Sequence, residues 1–173
     1  MKIRPGLTAT VSAAVIGAAL VAGAAPAHAN QSDEFHITDG SNIYFLWAPA
    51  AGDQLYIANG GGGTTWQNVN GTTKSILGSN PEPVYEWQAS GTSQCWTYDA
   101  SNNDVDLQAC TSGNTKQLFW QTTSDQFINV YASNAAGTHF CLNATHAENR
   151  APVNAIACKS KSAPGGFDQY WYD

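Results

Sequence analysis

Beyond residue 34 the apolar positions come in short runs. Many alternate with polar ones, and each run is cut off by Gly, Asn, Ser or Pro. That spacing predicts β-strands joined by tight turns. Twelve runs qualify: 35–38, 43–47, 54–58 and 66–69, then 84–88, 94–98, 105–109 and 118–121, then 126–131, 140–143, 153–157 and 170–172. No segment past residue 30 holds a helical period of useful length, so the fold class expected is all-β. Residues 75–77, inside a long connection from Asn70 to Pro83, are left over as a candidate extra strand.

The first residues follow a different pattern. Lys2 and Arg4 give a positive start, 7–25 is an uncharged run rich in Ala, Val, Ile and Leu, and Pro26 precedes Ala27-His28-Ala29. The tripartite layout is that of a secretory signal peptide, with small-x-small before the cleavage point. Gly17 and Gly23 break the run, Pro5, Gly6 and Pro26 bound it, and together they argue against a membrane anchor. The mature chain is expected to run from Asn30 to Asp173 as one secreted domain, and 1–29 to be removed. The remainder has no second apolar stretch able to span a membrane.

Maturation removes two cations. Five basic residues then face 13 acidic ones, a formal charge of −8. So few cations exclude an electrostatic nucleic-acid binder and disfavour anionic lipid. Neutral amides and hydroxyls abound beside six Trp and seven Tyr. Such side chains suit an uncharged polyhydroxyl ligand, with amides for hydroxyls and flat rings for a sugar's C–H face. They equally suit a small secreted β-protein that keeps its aromatics in the core.

All four cysteines lie in the mature chain, and an even count in an oxidising compartment implies two disulfides. The short separations, 95 to 110 and 141 to 158, favour Cys95–Cys110 and Cys141–Cys158 over any link across the longer gap. Metal-ligand spacings such as Cys-x-x-Cys are absent.

The two cysteine pairs have matching surroundings. One copy reads Gly91-Thr-Ser-Gln-Cys95-Trp96, Val105-Asp-Leu107-Gln-Ala-Cys110 and Gln117-Leu-Phe119; the other reads Gly137-Thr-His-Phe-Cys141-Leu142, Val153-Asn-Ala-Ile156-Ala-Cys158 and Gln169-Tyr-Trp171. A degenerate first copy runs through Phe45-Leu-Trp47, Leu55 to Gly60 and Thr64-Thr-Trp66, with Phe45 and Gly60 where cysteines would fall. A period near 48 residues means one supersecondary unit used three times, over about 30–70, 84–121 and 126–173.

Three four-stranded units that close on Gln-x-aromatic resemble the ricin-B-type, or QxW, β-trefoil lectin domains, over essentially the whole mature chain. The resemblance implies a β-trefoil in which the Gln ties loops and the aromatic fills a shared core, and it implies carbohydrate or glycoconjugate binding without cofactors. The family's Asp two places after the first Cys is replaced by Thr97 and Asn143. The third unit matches best, and the resemblance implies ligand binding by Asn143, Asn154, Asp168 and Gln169. A neutral acceptor in place of a carboxylate forms a weaker bond, which implies weak or altered sugar sites.

Catalytic signatures are missing. There is no Gly-x-Ser-x-Gly elbow and no phosphate loop. Glu82 and Glu86 flank Pro83 and read as a solvated loop rather than a glycosidase pair. His139 and His146 read as surface residues. The expectation is a non-enzymatic, sugar-binding module. The alternative is a protein-binding trefoil, such as a protease inhibitor or toxin-associated component, that presents the 70–83 connection.

Overall fold

The computed structural model describes residues 32–173, so the expected signal peptide, 1–29, lies outside the described residues. Among them are twelve strands: β1 (Ser32–Asp33), β2 (His36–Thr38), β3 (Ile43–Trp47), β4 (Tyr56–Asn59), β5 (Trp66–Lys74), β6 (Glu82–Ala89), β7 (Gln94–Tyr98), β8 (Val105–Ala109), β9 (Leu118–Gln121), β10 (Phe127–Asn129), β11 (Phe140–Ala144) and β12 (Val153–Ala157). One helix, α1 (Val130–Ala136), follows β10, and a 3₁₀ turn covers Phe167–Gln169. All neighbouring strands pair antiparallel.

Three hairpins share one register. Leu46 faces Ile57 in β3–β4, Trp96 faces Leu107 in β7–β8, and Leu142 faces Ala155 in β11–β12. All six of these side chains are buried, as strand alternation requires of one face. The residues around the starts of the second strands then bond to one another. Leu55 N donates to Val105 O at 2.8 Å, Val153 N to Leu55 O at 2.9 Å, and Ala155 N to Asn103 O at 2.8 Å. His36 and Tyr172 exchange N–H···O bonds of 2.9 Å, so the last residues close onto β2.

An aromatic core fills the interior. Trp66, Trp87, Trp96, Phe35, Phe119 and Phe127 are fully buried. Trp96 lies 5.2 Å from Trp66, 5.5 Å from Trp87 and 5.3 Å from Phe127, centroid to centroid. Each fully buried large apolar side chain contributes roughly 1.5–3 kcal/mol. Six of them outweigh the two disulfides, which supply about 3 kcal/mol each by the chain-entropy argument. The bridges are Cys95–Cys110 and Cys141–Cys158, as the spacings imply.

Three elements differ from the sequence reading. Residues 130–136 are helical because Asn129 caps them, accepting from Ala132 N at 2.9 Å, and Gly137 ends them in the left-handed region. Residues 170–172 form an isolated bridge instead of a strand, after the 3₁₀ turn. Residues 75–77 are the turn of a long β5–β6 hairpin, anchored by the buried Ile76. The carboxylate pair is also corrected. Glu82 and Glu86 both lie on β6, and Glu86 is fully buried, accepting from Asn70 Nδ2 at 2.7 Å and from Gly113 N at 3.1 Å.

Candidate functional site

The shared register places Asn143 opposite Asn154 in the third hairpin. The matching pairs are Thr97–Asp106 in the second hairpin and Trp47–Tyr56 in the first. Asn143 is buried, and its Nδ2 donates to Asn154 Oδ1 at 3.0 Å. Asp106 is half-buried, and burial, followed by repulsion from Asp104, pushes its carboxyl above the ordinary value.

Gln169 and Gln117 do the same work in two places. Gln169 Oε1 accepts from Lys159 N at 2.7 Å, and its Nε2 donates to Ala157 O at 3.2 Å. Gln117 Oε1 accepts from Thr111 N at 2.7 Å, and its Nε2 donates to Ala109 O at 2.9 Å. In each case the amide clips the residue after the second Cys of the disulfide to the residue before that Cys. Both side chains are buried, so their polar atoms are committed to partners within the protein.

Asp168, one residue earlier, faces elsewhere. It lines a cleft of about 500 Å³ with Thr38, Asp39, Ala147, Lys161 and Tyr172. The 159–169 loop forms one wall. Its path requires Gly166, where a Cβ would lie 2.1 Å from Ser160 O. The β2–β3 turn forms the other wall. Asp39 holds that turn by accepting from Asn42 N at 2.7 Å and Ser41 N at 2.8 Å, and its carboxyl is lowered to about 2, chiefly by those two N–H groups. The His36–Tyr172 bridge draws the two walls together.

The chemistry of the cleft follows from its free groups. Asp39 also accepts from Asn42 Nδ2 and from the Tyr44 hydroxyl, so both its oxygens are occupied. Asp168 makes no hydrogen bond through its side chain among the described residues and is the available acceptor. Burial raises its carboxyl above the ordinary value, with Lys159 and His146 opposing. The Lys161 ammonium bonds the Tyr172 hydroxyl and lies 5.0 Å from that ring's centroid and 5.5 Å from that of Tyr170. The cleft therefore offers one acceptor, one cation and an aromatic ring. Of the four residues expected to bind ligand, it takes in Asp168 and not Asn143, Asn154 or Gln169.

Sequence reasoning missed Lys161, Tyr172 and the 38–40 turn. The only local signal was the Asp39-Gly-Ser-Asn42 turn composition, which says nothing of its partner 120 or more residues away. Among the described residues no cluster of His, Cys, Asp or Glu could hold a metal ion, and no helix is long and apolar enough to cross a membrane. The chain matches no family model, and no curated protein matches it.

Proposed function

We propose that this chain is a secreted β-trefoil module of the lectin type, which binds carbohydrate weakly and performs no chemistry of its own. Three hairpins in one register, bonded to each other around the starts of β4, β8 and β12, support the trefoil reading. The two disulfides fit an oxidising compartment. The cleft at Asp168 carries the binding reading. A sugar's hydroxyls donate to the free carboxylate in charge-assisted bonds, roughly twice as strong as neutral ones. Lys161 donates to ring or hydroxyl oxygens, and the Tyr172 ring meets the apolar C–H face. Gln169 supports the 159–169 wall of the site through Lys159 N, and the Asn143 amide already bonds Asn154 within the third hairpin. Weak single contacts gain from polyvalent presentation. A multivalent glycan array is the test. Binding lost on Asp168→Ala and on Tyr172→Ala, with folding retained, supports the reading; no binding at any glycan density sinks it.

A second reading rests on the β5–β6 hairpin. Its turn exposes Leu77 at a φ of 56° while Ile76 stays buried, and Asn134 Oδ1 accepts from Leu77 N at 2.8 Å. A pinned turn that presents a large apolar side chain suits a protein partner. Partner capture lost on replacing 75–81, and indifferent to sugar, would favour it.

A further inference from the structure

The sequence holds two Asn-Gly dipeptides, Asn59-Gly60 and Asn70-Gly71. In such a pair the backbone nitrogen after Asn can attack the side-chain amide, because glycine has no Cβ to obstruct the approach. The fold treats the two pairs differently. Asn59 ends β4 and is exposed, and its side chain makes no hydrogen bond among the described residues. Gly60, Gly61 and Gly62 follow with φ of 90°, 71° and 85°, and nothing lies within 4 Å of a Cβ built at Gly60. No packed neighbour therefore lies on the Cβ side of Gly60. Asn70 sits at the bulge of β5, and its Nδ2 is held by the fully buried Glu86 carboxylate at 2.7 Å. Gly71 is packed so closely that a Cβ would lie 2.8 Å from the Tyr85 ring.

We propose that Asn59 is a site of spontaneous deamidation through a cyclic imide, and that Glu86 keeps Asn70 out of the same reaction. Gly60 N gives its proton to solvent base and attacks Asn59 Cγ. The N–Cγ bond forms, the Cγ–Nδ2 bond breaks, and Nδ2 leaves as ammonia with a proton from water. Water then opens the imide. Cleavage of the new N–Cγ bond leaves Asp at 59, and cleavage at the main-chain carbonyl leaves an isoaspartyl link with an added backbone methylene. No oxidant or cofactor enters.

The position gives the change a structural consequence. Asn59 N donates to Asn149 Oδ1 at 3.2 Å, and Arg150 N donates to Ile57 O at 2.7 Å. An added methylene at 59 shifts this join between β4 and the 145–150 loop.

The test is peptide mapping by mass spectrometry, with enzymatic isoaspartate labelling, on the full folded chain held at mildly alkaline pH. Conversion at Asn59 is expected at least about tenfold faster than at Asn70, a barrier difference of about 1.4 kcal/mol. In concentrated urea with the disulfides intact, the two rates should converge, because the Glu86 contact is gone. Equal rates in the folded chain, faster conversion at Asn70, or no isoaspartate at 59 once the urea sample has converted would each overturn the assignment. Hydrogen exchange on the converted fraction should show faster exchange at Arg150 N–H, and unchanged protection there would refute the coupling to the loop.

Discussion

Replacing Gln117 by Ala removes a side chain that joins three groups. Its amide bonds Thr111 N at 2.7 Å, Ala109 O at 2.9 Å and Thr97 Oγ1 at 2.9 Å. At about 1 kcal/mol net for each bond, the loss is about 3 kcal/mol. Gln169, with bonds only to Lys159 N and Ala157 O, should cost about 2 kcal/mol on the same reckoning. The difference is the Thr97 bond. Thr97→Val removes that hydroxyl at nearly constant shape, so Gln117→Ala made on that background should cost only about 2 kcal/mol, a coupling of about 1 kcal/mol. Urea unfolding followed by tryptophan fluorescence measures each step, and an unchanged slope would show that the denatured state is unaltered. A cost below about 0.5 kcal/mol for Gln117→Ala, the scale of an ordinary surface change, or a cycle that shows no coupling, would refute these ties. The same variants separate tie from ligand contact: if Gln169→Ala abolished glycan binding with stability unchanged, the amide would belong to the ligand.

Three further outcomes follow from the charges and the bridges. Burial raises the Asp168 carboxyl, so the native state holds its proton more tightly than the unfolded chain, and this group erodes stability as pH rises above 3.8. Asp168→Asn should therefore raise the thermal midpoint at neutral pH while weakening glycan binding; a lower midpoint with intact binding contradicts both assignments. Asp39 behaves in the opposite sense. Its carboxyl is lowered to about 2 from 3.8, so its contribution is present above 3.8 and disappears as pH falls through about 2, which a carbon NMR titration of Cγ should show directly. Removing the Cys141–Cys158 bridge by paired Ala substitution should cost about 3 kcal/mol, because a loop of 17 residues is released in the unfolded chain; equal urea midpoints for bridged and unbridged chains would refute that.

What could be read from the sequence was whatever period and spacing determine locally. Residues 43–47, 94–98, 105–109, 118–121 and 153–157 form strands over those limits; in 43–47, 105–109 and 153–157, alternation around Leu46, Leu107 and Val153 marks a single buried face. Cysteine separation was informative for the same reason, since each bridge stays within one hairpin and the turn that follows it. The misses share a different cause. Helix α1 has only seven residues, too few to show a period, and its cap Asn129 is itself held by Lys116 O at 3.0 Å from another loop. Glu86 looked like a solvated charge because its partners, Asn70 Nδ2 and Gly113 N, lie far from it in sequence and on opposite sides of it. Asp168 could be named from the closing motif, whereas its neighbours in the cleft could not. Tyr172 and the 38–40 turn meet only because β2 takes the chain's last residues as a partner. Buried charges and open clefts are satisfied or formed by whichever segments topology brings together. A period of 2 marks the faces of a strand, and the groups that line the cleft become visible only where β2 meets Tyr172.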